Sequence, residues 1–555
     1  MTPAASSGSV GPQHAGRLPA SAVPVTVLPQ VLSGQGRGLG RWVSRGWPLL
    51  AVLAVQAAFS LRLLRSDTAS QSEALYLHAG HLEWANWLHG APVPAFSSYF
   101  SGAPVIYPPL GAVADSLGGL AGARVLSLAF MLGATILLWG TAARLFGRRA
   151  SFFATTLFAV LGTTLHLGAF ATTDAMSLFL VALAAWCVIR AGAREPATGW
   201  LVAAAAALAL AVATAYTCLL FAPLIAALAL LTAPQAGHGW LAARRAGTLL
   251  AATAALLTAG LGAGGGSYLG GFERTMLTRA RDSATPLAVL GQSWSWAGLL
   301  LVLAIAGVVI SCVSRPGAAQ AWLLGFLSAA LVAGPLEQAR LHTAAALNQH
   351  VGLGAWFAAI AAGYTVDRLI EASPPGRGRA VTCGACVIAL TFPAALGITQ
   401  SRSFSSSWPN ATSFISIFAP LADHSAGPLL VEDPSVAEYY AGAGARWQRW
   451  SSTRNITRPA GISTGGPAAS ASVTSAGNAP VYASYIAEGY FSLVALNYTD
   501  TTGLDRQITA DLRRNHHYHI IQVVPYGIEI PPIGLGTYVI WQYQATTTQA
   551  ATGDH

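Results

Sequence analysis

The residues best placed to do chemistry are acids standing at the ends of long apolar runs. Arg65-Ser-Asp67-Thr-Ala-Ser-Gln-Ser-Glu73-Ala-Leu-Tyr76 follows directly on the first such run and carries two carboxylates, Asp67 and Glu73. A carboxylate in that place can take the proton of an acceptor hydroxyl or hold a divalent cation. The competing reading is a helix start, with Ser72 as the cap and Glu73 in a first turn that favours negative charge. A third acid ends the stretch Ala171-Thr172-Thr173-Asp174 at the head of a later apolar run. An acid at a membrane boundary is a functional candidate; its ordinary role would be to cap the free N–H groups of that helix.

Cations stand in two further segments. Phe272-Glu-Arg274-Thr-Met-Leu-Thr-Arg279-Ala-Arg281 precedes one apolar run, and Leu336-Glu337-Gln-Ala-Arg340-Leu-His342 with Asn348-Gln-His350 precedes another. Arginine beside a lipid surface suits two-pronged phosphate binding, and it suits ordinary headgroup contact equally well. The stretch 73–89 reads as a helix holding Tyr76, His78, His81, Trp84, Trp87 and His89, with its polar residues spread around the axis. Aromatics of this kind belong at the headgroup level. The imidazoles are candidate ligands or hydrogen-bonded structural groups. Cys383 and Cys386 form a C-x-x-C inside an apolar segment without a partner pair, which reads as packing rather than metal binding.

These residues need elements to position them, and composition says which. Hydrophobic residues make up 54% of 555 positions, and Asp, Glu, Lys and Arg only 9%, against about a quarter in soluble domains. So few charges cannot cover a water-facing surface of that size. Apolar runs of the ~20 residues that cross a bilayer recur along the chain. They are continuous and rich in Ala and Leu, so they read as helices, which satisfy their own backbone in lipid. The chain reads as a multi-spanning α-helical membrane protein with about eleven transmembrane helices. The spans expected are 47–64, 121–143, 150–168, 175–191, 199–216, 217–233, 246–263, 297–313, 318–335, 351–370 and 380–398, with Pro223 marking a kink or a re-entrant shape in the sixth.

The net charge is +9 and all 30 basic residues are Arg. They are scattered at helix ends rather than gathered in a patch, which argues against nucleic-acid binding. Arg17, Arg37, Arg41, Arg45, Arg144, Arg148, Arg149, Arg190, Arg194, Arg244, Arg245, Arg315, Arg368, Arg377 and Arg379 all fall on one side if the N-terminus is cytoplasmic. An odd span count then puts the C-terminal region outside, together with a long first outer loop at 65–120. Residues 1–45 form a cytoplasmic N-terminus whose composition predicts disorder. Residues 46–398 form the transmembrane domain and 399–555 a small extracytoplasmic α/β domain. In the latter, Leu429-Leu-Val431 reads as a buried strand, Glu432 to Ser435 as the capped start of a helix, and Asp505 to Arg514 as a helix. His519 to Val524 and Thr537 to Tyr543 read as strands, and about 461–479 reads as a flexible Gly/Ser/Ala-rich insert.

The order of features resembles the GT-C superfamily, multi-spanning transferases that use lipid-phosphate sugars, such as protein O-mannosyltransferases and the aminoarabinose transferase. The chain is most similar to the actinobacterial branch of family 39-like glycosyltransferases. The matching stretches are Glu73-Ala-Leu-Tyr-Leu-His-Ala-Gly-His81, Tyr107-Pro-Pro-Leu110, Ala123-Arg124-Val-Leu-Ser127, Thr173-Asp174-Ala-Met-Ser-Leu-Phe179, Thr275 to Arg279, Gln338-Ala-Arg340-Leu-His342-Thr343 and Gly536-Thr-Tyr-Val-Ile-Trp541. The likeness runs over about residues 45–545.

The resemblance implies transfer of a sugar, a hexose such as mannose, from a polyprenyl-phosphate donor to a glycan, lipid or protein acceptor at the outer face of the plasma membrane, with inversion at the sugar carbon. It implies catalytic roles for Glu73, Asp67 and Asp174, and donor-phosphate contacts from Arg279, Arg340 and His342. A divalent metal is compatible with it. The sequence departs from the family in the first loop, where an Asp-Glu pair supplies the base: Ser72 stands at the Asp position and only Glu73 remains. Either Asp67 or Glu73 takes the role, or activity is weakened or lost and the chain binds lipid-linked sugars or scaffolds an envelope complex. Gln349 likewise stands where related chains often carry Lys. A transporter would place ionisable residues in mid-span and repeat its halves; the sequence shows neither.

Overall fold

In the computed structural model of the chain the described residues are 39–98, 100–192, 197–232, 239–277, 284–314, 318–441, 447–453, 479–499, 501–526 and 536–544. Arg279, most of the insert expected at 461–479 and nearly all of the N-terminal segment lie outside them.

Helices α1 (Leu39–Leu61) and α2 (Gln71–His89) flank the bend that carries Asp67. The start of α2 is set by a capping box: the Ser70 hydroxyl accepts the Glu73 N–H while the Glu73 carboxylate accepts the Ser70 N–H. Its end is set by Gly90 at φ +66°, where a left-handed turn costs glycine little. Helix α3 (Tyr107–Phe146) opens on Pro108 and Pro109, which tolerate the first turn because no helical N–H is needed there. It breaks at Gly118–Gly119, where the dihedrals leave the helical region. The expected loop 65–120 therefore contains two helical segments, and only the part of α3 beyond the break coincides with the span expected at 121–143. Helix α2 lies close on α3: a Cβ at Gly80 would stand 2.0 Å from the Pro108 carbonyl oxygen.

The next elements are α4 (Arg148–Ala159), α5 (Gly162–Leu167), α6 (Thr173–Gly192), α7 (Thr198–Thr214) and a 3-10 turn (Tyr216–Phe221) leading into α8 (Ala222–Leu231). One expected span, 150–168, is thus divided at Val160-Leu161. Pro223 sits in the first turn of α8 rather than kinking a longer helix, consistent with its missing N–H. Then come α9 (Gly239–Gly264), α10 (Gly266–Met276), α11 (Pro286–Ser314), α12 (Ala318–Arg340), α13 (Leu347–Ala372), α14 (Arg377–Ala389) and α15 (Thr391–Ser405). Helix α13 is the core element, buried from His350 to Asp367 and packed against α4, α11 and α12. Cys383 and Cys386 are free thiols that pack beside Phe153, Val366 and Ile370. Among the described residues six segments are long and apolar enough to cross a membrane: α3, α6, α9, α11, α12 and the continuous pair α14–α15; three shorter apolar helices accompany them.

The C-terminal region starts with α16 (Thr412–His424), followed by β1 (Leu429–Val431), α17 (Pro434–Ala441), β2 (Trp450–Ser451), α18 (Ala479–Ala487), β3 (Leu493–Leu496), α19 (Thr502–Arg514), β4 (Tyr518–Pro525) and β5 (Thr537–Tyr543). The strands form one sheet in the order β2-β1-β3-β5-β4, with β1 parallel to β2 and β3, and β5 antiparallel to β3 and β4. Leu429–Val431 and Leu493–Leu496 are wholly buried between helices on both faces, which is why they read as continuous apolar runs. Asp433 caps α17 by accepting the Ser435 N–H. Glu432 does not share that work. Its carboxylate takes the N–H groups of Asn497, Tyr498, Thr499 and Thr501 and so ties the end of β1 to the turn after β3.

Candidate active site

The acids at the head of the transmembrane domain are organised by Arg124, which lies on α3 one turn past the Gly118–Gly119 break and is 1% exposed. Its Nε and Nη2 each donate to a different oxygen of the Glu73 carboxylate at 2.8 Å. Nη1 donates to the carbonyls of Leu64 at 2.8 Å and Asp67 at 3.2 Å, and Nη2 also reaches the Thr68 carbonyl at 3.3 Å. Glu73 in turn accepts the N–H of Ser70 at 3.1 Å and of Ala171 at 2.8 Å. Two donors thus fill each oxygen, and a carboxylate offers about four lone-pair sites. Glu73 joins three pieces of chain: the start of α2, the body of α3 and the approach to α6. Nothing is left on it to receive a proton unless one of these bonds opens.

Asp67 is placed differently. It is partly exposed on the bend between α1 and α2. Its Oδ1 accepts the Thr68 N–H at 2.7 Å and the Thr68 hydroxyl at 3.3 Å. Burial pushes its carboxyl above the usual range, against the opposing pull of the Thr68 bonds and the Arg124 charge. A base with a raised pKa and open access suits proton abstraction near neutrality.

Asp174 stands in the first turn of α6, three residues beyond the N–H that Glu73 accepts, and its Oδ2 accepts the Thr172 hydroxyl at 2.7 Å. Tyr76 of α2 reaches Thr173, and its hydroxyl is pushed up to about 12 by burial and by the Asp174 charge. Tyr76 also packs edge-on against Tyr107 and Phe100. Asp67, Glu73 and Asp174 therefore belong to one neighbourhood, tied together by Arg124, Ala171 and Tyr76.

Arg340 and His342 are not joined to it. Arg340 is paired with Glu337 on its own helix at 2.6 and 2.8 Å and its side chain is 60% exposed. His342 lies on the turn after α12 at φ +56°, with its carbonyl accepting the Ala284 N–H. Among the described residues no hydrogen bond or ion pair connects either residue to the acids, and no group of three His, Cys, Asp or Glu side chains gathers as a metal site.

The C-terminal domain reaches the same neighbourhood. The Trp408 indole N–H donates to the Thr68 carbonyl at 3.0 Å, the Ala411 N–H to the Thr68 hydroxyl at 3.0 Å, and the Ala69 N–H to the Tyr440 hydroxyl at 2.9 Å. On the same helix as Tyr440, the Tyr439 hydroxyl donates to Asp115 at 2.6 Å, and the other oxygen of Asp115 meets His81 at 2.7 Å. His78 is buried 3.9 Å from Glu438. Two of the α2 histidines thus serve the contact with α17. Sequence reasoning singled out neither Arg124 nor Tyr440 as a site residue. An arginine inside an apolar segment was the available signal for the first; no local pattern marks the second.

An apolar cavity of about 700 Å³ is walled by α7, α9, α10, the 3-10 turn and Ala103, Val105 and Ile106 just before α3. Its polar lining comes from Tyr216, whose buried hydroxyl has no hydrogen-bond partner, and Tyr268. Cys218, two residues past Tyr216, lies by Ser177, one turn beyond Asp174 on α6. The 3-10 turn that lends Tyr216 and Leu219 to the cavity thus also packs on α6.

Residues 116–261, which include Arg124 and Asp174, match the family model described as dolichyl-phosphate-mannose-protein mannosyltransferase. No curated protein matches the chain by sequence. Among solved structures, ArnT from Cupriavidus metallidurans bound to undecaprenyl phosphate is similar at 14% identity and TM-score 0.58, covering 91% of this chain and 99% of that one. The archaeal oligosaccharyltransferase AglB from Archaeoglobus fulgidus, in complex with an inhibitory peptide and a dolichol-phosphate, is similar at 14% identity and TM-score 0.52, covering 90% of this chain and 76% of that one. The chain has the fold of the GT-C glycosyltransferases, a multi-spanning helical membrane architecture.

Proposed function

We propose that this chain, built on the GT-C fold, is a membrane glycosyltransferase. It moves a hexosyl group such as mannose from a polyprenyl-phosphate donor to a hydroxyl of a glycan, lipid or protein acceptor at the outer face of the membrane. The observation that carries the reading is the gathering of three acids, Asp67 and Glu73 at Arg124 and Asp174 three residues past the Ala171 N–H that Glu73 accepts, in a chain that also holds an apolar cavity with room for a lipid tail. The family match over residues 116–261 and the lipid phosphates bound by two proteins of the same fold support it.

In this reading the acceptor oxygen attacks the anomeric carbon from the face opposite the phosphate, so configuration inverts. The acceptor proton passes to Asp67, the carboxylate with open access. The bond from the anomeric carbon to the phosphate oxygen breaks and polyprenyl phosphate leaves. Glu73 and Arg124 hold the bend and the head of α6 in register, and Asp174 orients the acceptor or the base. Arg279, Arg340 and His342 would neutralise the phosphate, for which Arg340 must exchange Glu337 for the donor. The orientation rests on the charges: Arg144, Arg148 and Arg149 lie at the end of α3 remote from Tyr107, where Arg149 pairs with Asp367 and Glu371. Basic ends face the cytoplasm, which puts the N-terminus inside, and the acids and the sheet domain outside.

Ser72 supports a second reading, a weakened or inactive relative that binds lipid-linked sugar. It lies exposed in the first turn of α2 and offers a hydroxyl where the family has a carboxylate. The test is transfer, or release of polyprenyl phosphate, from radiolabelled undecaprenyl-phosphate mannose by the purified protein in lipid nanodiscs with membrane extract as acceptor. Loss of that activity in both Asp67→Asn and Asp174→Asn supports the enzyme. Full activity in both removes the mechanism, and tight binding of the donor without turnover by the parent selects the second reading.

A further inference from the structure

We propose that Tyr440, on α17 of the C-terminal sheet domain, is a positioning residue for Asp67, holding the backbone two residues beyond it. The inference rests on Asp67 being the base of the proposed transfer.

Residues 65–70 belong to no helix or strand, so their backbone polar groups need partners from elsewhere. On the membrane-domain side Arg124 binds the carbonyls of Leu64, Asp67 and Thr68. On the other side the contacts come from beyond residue 400: Trp408 on the Thr68 carbonyl, the Ala411 N–H on the Thr68 hydroxyl, Tyr440 on the Ala69 N–H, and the Asn410 side chain on the Asp67 carboxylate itself. The short segment that carries Asp67 is therefore gripped between two domains. Without the C-terminal grip the Ala69 N–H and the Thr68 hydroxyl lose their partners next to Asp67, and a carboxylate on a loop loses the geometry that catalysis needs. Displacements on the order of 1 Å can cost about 100-fold in rate.

Among these four C-terminal contacts Tyr440 is the one that tests the hold on the backbone, since Asn410 acts on the carboxylate directly. Ala411 acts through its backbone. Trp408 also packs on Phe170 and His166. Tyr440 contributes its hydroxyl to the bend, while α17 keeps its seat through Tyr439 on Asp115 and through Glu438 beside His78. The charged groups acting on the Tyr440 hydroxyl are Arg124, Glu73 and Asp67, the groups of the site itself. The C-terminal domain is then a working part of the site rather than a cover for it.

The experiment uses the full chain in nanodiscs with undecaprenyl-phosphate mannose as donor. Tyr440→Phe is expected to lower kcat by about 10-fold or more, with donor KM within about twofold and melting temperature unchanged, and to speed amide exchange over residues 66–70. A merely structural tyrosine would lower the melting temperature and leave kcat of the folded fraction intact. Should Tyr440→Phe fail to fold, Trp408→Phe deletes the neighbouring donor and is expected to show the same split between kcat and KM. Unchanged kcat in the folded variant, or unchanged exchange over 66–70, overturns the proposal while the parent enzyme is active and Asp67→Asn is dead. No turnover by the parent, or full turnover by Asp67→Asn, instead overturns the functional reading beneath it.

Discussion

Arg124 and Glu73 form a two-pronged ion pair with both side chains almost wholly removed from solvent, 1% and 0% exposed. Each lone pair of the carboxylate and most of the guanidinium N–H groups are used. Such a pair is weak evidence for net stability, because desolvating both charges offsets their attraction. Removing one partner is another matter, since it leaves a buried charge without compensation. Arg124→Met should destabilise the protein by about 3–5 kcal/mol, seen as a large drop in melting temperature in detergent. A drop no larger than that of a surface arginine variant would show that the pair is not buried as described.

The same saturation separates the acids by experiment. Glu73→Gln keeps the shape but turns one oxygen into an N–H₂ facing donors, so activity and melting temperature should fall together. Asp67→Asn should lose on the order of 10²–10⁴-fold in kcat, the usual share of a general base, at nearly unchanged melting temperature. Asp67 is partly exposed and its carboxylate accepts from neutral groups, the Thr68 N–H and hydroxyl and the Asn410 side chain, so little stability depends on its charge. If Glu73→Gln is inactive yet as stable as the parent, Glu73 is doing chemistry and the assignment of the base moves to it.

The acids were legible because each stands where an apolar run stops, and burial makes an acid there conspicuous. The apolar runs likewise announced the helices, but not their breaks: Gly118–Gly119 inside α3 and Val160-Leu161 between α4 and α5 follow from backbone packing that composition does not record. Short strands were harder still. Trp450–Ser451 is too brief to show a period, and Leu493–Leu496 is buried on both sides and so has no alternation. The arrangement around Asp67 was least visible, because Ala69 and Tyr440 are separated by 371 positions and one hydrogen bond leaves no pattern along the chain. Arg340 shows the reverse case: a conspicuous arginine whose present partner is simply Glu337 on its own helix.

The α2–α17 contact should respond to pH through two groups with opposite windows. Burial, with a further push from Asp433, raises Glu438 from 4.5 to about 8. The folded protein holds a proton there that the unfolded chain releases above 4.5, so this contribution to stability is full below 4.5 and is lost as pH rises to about 8. Burial and His81 lower His78 from 6.5 to about 4. Its contribution is full above 6.5 and is lost as pH falls to about 4. Glu438→Gln, neutral at every pH, should therefore raise the melting temperature at pH 8 and leave it little changed at pH 5. Melting curves of parent and variant that stay parallel from pH 5 to pH 9 would show that Glu438 is ionised in the folded protein.

The apolar cavity between α7, α9 and α10 offers the most direct test of a lipid-linked donor. Its wall includes Gly260 of α9, where a side-chain carbon would meet nothing within 4 Å. Gly260→Trp should therefore be accepted by the fold while filling part of the space. A polyprenyl tail gains about 0.8 kcal/mol for each buried CH₂, and displacing even two such groups costs roughly tenfold in affinity. The expected result is a donor KM at least about tenfold higher for undecaprenyl-phosphate mannose. The headgroup, the acids and the bend at Asp67 are untouched, so kcat at saturating donor should stay near the parent value. A donor cut back to a few isoprene units should lose little more in the variant than in the parent, because its tail ends before the obstruction. Equal KM for long and short donors in both proteins would show that the tail lies elsewhere, and would separate the cavity from the chemistry proposed for the acids.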